Sequence, residues 1–191
     1  MTRFKRCNIV VKFLVVVILC IFALQRVDLS ESNEGKRLRE NIYNTLQNKN
    51  KRVEIYLAGV NLNNGRSENT CVYFMAEVLR RNNYSIPNHM ANTESLIEYL
   101  KKDGWKKKTN YKKLKPGNIC FTTDANGKNK KAPTHTYVFM AWVKEGNYDY
   151  AYICDNQAKD YKNKIYHIRN IKNVDNANGD SKEAFSFFME K

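Results

Sequence analysis

The sequence predicts an α+β domain: helices packed on an antiparallel β-sheet, preceded by an N-terminal hydrophobic helix. Three observations carry this. Apolar residues recur at helical spacing between residues 38 and 100. After residue 115 the pattern becomes short runs of aromatic and β-branched residues separated by turns. Ahead of both, Phe13 to Leu24 is a run without a charge behind Arg3, Lys5 and Arg6. Helices first and strands second is the order of an α+β fold. A length of 191 residues suits one domain plus an appendage, and a 42% hydrophobic share supplies its core.

Residues 1–28 read as a signal peptide or membrane anchor. A basic start before a short apolar core is the layout of an export segment, and its positive flank stays inside, so the rest is expected to be extracytoplasmic, either membrane-anchored or secreted. Ala23-Leu24-Gln25-Arg26 is a poor cleavage site, which favours retention as an anchor. Ile9 to Leu24 is slightly shorter than the about 20 residues a bilayer needs, and Lys12 could snorkel to lengthen it.

Residues 29–50 are polar, with Leu38, Ile42 and Leu46 at i, i+4 and i+8, and are expected to form a helical spacer that holds the domain off the membrane or packs on its edge. The domain proper is expected over 51–191. Val53 to Leu57 reads as a short helix and Gly59 to Asn69 as a loop. Asn69 is the expected N-cap of a helix whose apolar face is Cys71, Phe74, Met75, Val78 and Leu79. Asn92 or Thr93 caps the next helix, with Leu96, Ile97, Tyr99 and Leu100 inward. Lys115-Pro-Gly-Asn118 is a turn. Strands are expected over Ile119 to Thr122, His135 to Val143, Tyr148 to Asp155, Lys164 to Ile171 and Ala184 to Met189.

The chemistry concentrates on few residues. Cys71 sits at a helix start, where amide groups and the dipole favour a thiolate, the nucleophilic form; its apolar neighbours fit a plain buried cysteine equally well. His135 starts a strand after a loop, where a side chain can enter a cleft. His89 reads as surface and His167, inside a strand, as structural. The end of the following strand lies beside the start of the His135 strand, so Asp155 or Asn156 can fix the imidazole, and their opposite facing allows only one of them to do so. The Cys71 backbone N–H is one oxyanion donor, and Tyr56 is a weaker candidate for a second.

Tyr56 with Gly59, then Gly65 and Cys71, resembles the arrangement before the nucleophile in the papain-like NlpC/P60 and CHAP superfamily. Leu114-Lys-Pro-Gly-Asn-Ile-Cys-Phe121 resembles its L-x-P-G-D-L-x-F turn and strand, and Thr134-His-Thr-Tyr-Val-Phe139 its H-V-G-x-Y strand. The resemblance spans residues 50–157. It implies a bacterial cysteine hydrolase acting on peptide or amide bonds in peptidoglycan, with Cys71 and His135 carried over and Asp155 or Asn156 third. Thr70-Cys71-Val72-Tyr73 stands where the family has Asp-Cys-Ser-Gly, and Asn118 where it has Asp.

Charge adds a partner. Of a net +14, the first 28 residues carry +4, which leaves +10 on the rest. Such a domain is drawn to polyanions. Eight lysines between Lys101 and Lys115, with Trp105 and Tyr111 among them, could meet nucleic acid. The export segment argues instead for anionic wall polymer or lipid. Cys120 and Cys154 are expected either to pair or to stay as buried thiols. No C-x-x-C or paired histidine spacing points to a metal, and no phosphate loop to a nucleotide, so no cofactor is expected. The leading expectation is an envelope thiol hydrolase; its rival is a catalytically silent module of the same fold that binds wall polymer.

Overall fold

The structure, a computed structural model, describes residues 31–191, so the expected signal or anchor segment lies outside the described residues. Among the described residues, no helix is long and apolar enough to cross a membrane. Residues 33–191 form one unit.

Helix α1, Asn33–Gln47, buries Leu38, Ile42 and Leu46 in the main core. Residues 33–47 thus pack on the domain, which is one of the two roles expected for the 29–50 segment. Helix α2, Lys49–Leu62, is longer than the Val53 to Leu57 expectation, because Asn48 caps it by accepting the Lys51 N–H at 3.1 Å. Helix α3, Cys71–Arg80, is the most apolar, with six of its ten residues buried. Gly59 lets α2 and α3 meet closely: a Cβ there would sit 3.1 Å from the Phe74 backbone nitrogen. Helix α4, Thr93–Lys102, is capped by Asn92, which accepts the Ser95 N–H at 2.8 Å.

The strands are β1 Lys106–Lys108, β2 Ile119–Thr122, β3 Thr136–Lys144, β4 Asn147–Cys154, β5 Tyr166–Asn170, β6 Asp175–Ala177, β7 Asp180–Lys182 and β8 Phe185–Glu190. Six form one antiparallel sheet in the order β1-β8-β2-β3-β4-β5, and β6 and β7 make a separate hairpin. The sequence reading missed β1, β6 and β7. Strand β1 is three lysines at the sheet edge, a composition that hides strand character and also discourages further pairing.

Alternation divides the sheet cleanly. Ile119, Phe121, Val138, Met140, Phe187 and Met189 face the helices. Cys120, Tyr137, Phe139, Ile153 and Phe188 face the other way, under Leu114 and Ile171. Cys120 pairs in register with Tyr137 and Cys154 with Val138, so the two thiols lie on opposite faces and both are free and buried. Of the two expectations for them, the disulfide is the one that fails.

The turn before β2 fastens α1 to the sheet. Gly117 has φ +94°, and a Cβ there would collide with the Arg39 carbonyl. Arg39 donates to the Pro116 carbonyl at 2.9 Å, and Asn118 accepts the Lys115 N–H at 2.7 Å. Asn118 therefore closes this turn by itself.

Candidate active site

Cys71 is the first residue of α3 and is half-buried at the edge of the main core. The N-cap is Thr70, one residue later than expected, because Asn69 takes a left-handed conformation, φ +57°. The Thr70 hydroxyl turns away from the helix and donates to the Ser67 carbonyl at 2.8 Å, so it caps no amide. The Cys71 sulfur thus stands at a helix N-terminus whose positive end is not covered by its own cap.

His135 lies just ahead of β3 and is buried. Its backbone is fixed on both sides by Thr122, whose hydroxyl accepts the His135 N–H at 3.1 Å and whose own N–H donates to the His135 carbonyl at 3.1 Å. The ring bonds Asp155 through Nε2, 2.9 Å from Oδ2. Since an ionised carboxylate only accepts, Nε2 carries the proton, which leaves Nδ1 for Cys71. Burial works against a charged imidazole here, but hydrogen bonds to Asp155 and to the Cys71 sulfur outweigh it, and the His135 pKa is raised.

Asp155 is wholly buried. Its second oxygen accepts the Gln157 N–H at 2.9 Å. Burial opposes its charge; the His167 and His135 imidazoles and the Arg169 guanidinium outweigh burial and hold its carboxyl far below the usual range. The His167 pKa is itself lowered, chiefly by burial. Its Nδ1 donates to the Lys164 carbonyl at 3.0 Å, and its Nε2, 3.8 Å from Asp155 Oδ1, makes no hydrogen bond. The Tyr161 ring lies on His167 at 3.5 Å between centroids. Arg169 is 1% exposed; it donates to the Glu183 carbonyl at 2.6 Å and lies 5.7 Å from the centre of the Tyr137 ring.

The expected residues therefore separate. His135 bonds Asp155 and also engages the Cys71 sulfur. Asn156 does not reach His135: its amide donates to the Thr70 hydroxyl at 3.0 Å and steadies the approach to Cys71. Tyr56 packs on the main core beside Lys159, and makes no hydrogen bond to Cys71. Lys159 in turn pairs with Glu68 at 2.6 Å, three residues before Cys71. His89 is exposed, as expected. Arg169 and His167 were missed as parts of the site. Their spacing of two on one strand marks a shared face, but only the register, with His167 opposite Ile153, puts that face beside Asp155.

Compared with known proteins, the chain matches no family model, no curated protein and no solved structure.

Proposed function

We propose that this protein is an extracytoplasmic cysteine hydrolase of papain-like NlpC/P60 type, held in or exported across a membrane by its N-terminal segment, that cleaves peptide or amide bonds, with wall peptide as substrate. The observation that carries the reading is the 2.9 Å bond from His135 to a buried, ionised Asp155 on a ring that also engages Cys71 at a helix N-terminus. Asp155 sets the tautomer and steadies the imidazolium, which is the task of the third group in such sites.

The chemistry follows from these positions. His135 takes the thiol proton, and the Cys71 sulfur attacks the amide carbonyl. The Cys71 backbone N–H, at the positive end of α3, faces the developing oxyanion. Collapse breaks the C–N bond, and the proton on His135 passes to the leaving amine. His135 then removes a proton from water, which displaces the thiolate from the acyl group and releases the acid. No cofactor takes part. Incubating the full chain and a Cys71→Ala variant with peptidoglycan peptides tests this: the parent releases new amino termini and the variant none, whereas equal release by both would sink the mechanism.

One observation favours the rival, a silent wall-polymer binding module: Thr70-Cys71-Val72-Tyr73 stands where the resembled family has Asp-Cys-Ser-Gly. A small thiol-reactive probe near neutral pH separates the two readings. Selective labelling of Cys71 over buried Cys120 and Cys154 supports the enzyme; indifference among the three supports the module.

A further inference from the structure

Away from Cys71, three lysines from three separate segments converge on one concave site. Lys101 comes from the last turn of α4, Lys107 from edge strand β1, and Lys131 from the loop between β2 and β3. They line a pocket of about 150 Å³, with Asn129, Ser186 and Phe187. None of the three is paired with a carboxylate among the described residues. Lys107 is held over the Phe187 ring, its ammonium 4.1 Å from the centroid.

The loop that brings Lys131 is built rather than loose. Asp124 is buried, and its carboxylate accepts the backbone N–H groups of Asn126, Lys128, Lys130 and Lys131 at 2.9 to 3.1 Å. Its charge is thereby satisfied within the loop and does not neutralise the lysines. Asn129 and Ser186 bond side chain to side chain, which pins the loop to β8. At the far end, Thr93 donates to the Pro133 carbonyl at 2.6 Å and ties the loop to the start of α4.

We propose that this pocket is a phosphate-binding site that seats one phosphate group of an anionic polymer. The volume is well under the about 300 Å³ at which pockets begin to hold drug-sized ligands, so a single charged group enters rather than a whole nucleotide. Three lysines from three segments bring up to nine N–H donors to one site, which suits a tetrahedral group with several acceptor oxygens better than a planar carboxylate with two. A phosphate carried by a polyanion suits the site better than a free ion because residues 29–191 carry a net +10. The site needs no catalysis, so it stands or falls separately from the hydrolase reading.

The test uses the full chain in a neutral detergent, titrated with inorganic phosphate and with a short glycerol-phosphate oligomer while the amide signals of Asn129, Lys131 and Ser186 are followed. Those signals are expected to move, with tighter binding per phosphate for the oligomer. The triple variant Lys101→Gln, Lys107→Gln, Lys131→Gln should weaken binding about tenfold or more. The control Lys36→Gln, Lys49→Gln, Lys144→Gln removes equal charge from exposed positions and should change it less than about twofold. Equal weakening by both triples, or no movement of the three signals, overturns the site. Oligomer binding no tighter than inorganic phosphate overturns the polymer as occupant, and so does a single-stranded DNA of equal charge that binds more tightly than the oligomer. A melting midpoint for each variant confirms that lost binding is not lost fold.

Discussion

The two faces of the six-stranded sheet are made by the same strands and bury different things. Toward the helices, Phe121, Val138, Met140 and Phe187 meet Phe74, Met75 and Leu79, and the burial is apolar. On the opposite face Phe139 and Ile153 give way, near the strand ends, to His135, Asp155, His167 and Arg169. Apolar contact stabilises without demanding a direction. A buried charge needs each partner at a given distance and angle, or it costs several kcal/mol. One face thus holds the larger apolar core, and the other adds to its apolar cluster a polar group that fixes the aim of one imidazole.

Breaking this division in different places gives different signatures. Cys71→Ala is expected to lower turnover by about 10⁴-fold or more while the melting curve stays put, since a half-buried thiol contributes little packing; single-turnover kinetics and calorimetry together check it. Arg169→Met removes a cation beside buried Asp155 and should cost about 3–5 kcal/mol, with the pH profile altered as well. Leu79→Ala is its counterpart on the apolar face and should cost about 2–5 kcal/mol. Denaturant unfolding measures both, and the comparison breaks if Leu79→Ala moves the pH profile as far as Arg169→Met does.

Asp155→Asn sharpens the point through pH. The His135 pKa is raised, so its pairing stabilises the fold fully below the free value of 6.5 and is lost as pH rises through the raised value. The Asp155 pKa is lowered, so its contribution is present above 3.8 and is lost only as pH falls through the depressed value. Buried His167 adds an acid-side penalty, because below 6.5 the unfolded chain takes up a proton that the folded one refuses. With Asn at 155, burial of His135 goes unopposed by a carboxylate. The acid limb of kcat/KM, where His135 must lose its proton to act as base, should move toward lower pH; an unmoved limb would mean that Asp155 does not govern His135. The smallest effect belongs to Asn156→Ala, which loses the bond to Thr70 and should cost about 1 kcal/mol in stability.

What could be read from the sequence was whatever is local. Helical spacing found α1, α3 and α4, and the turn at Gly117 and the β3–β4 hairpin stood out by composition. The pairing of His135 with the end of the next strand followed from hairpin geometry alone, and the structure chooses Asp155 over Asn156. Register and long-range contact stayed hidden. Nothing local shows that His167 and Arg169 face Asp155, that Asn69 turns left-handed and passes the cap to Thr70, or that Lys106–Lys108 pairs with β8.

The Thr70 hydroxyl, turned back to Ser67 instead of capping α3, has a mechanical consequence. The turn that carries the nucleophile is fastened mainly from outside, by Asn156 to Thr70 and by Lys159 to Glu68. One of those clasps is an exposed ion pair, which salt weakens. Unwinding a single helical turn is enough to take the sulfur away from its base while both faces of the sheet stay closed. Activity should therefore fade with rising salt or mild denaturant before ellipticity does, and the protein would pass through a state that is folded, compact and idle.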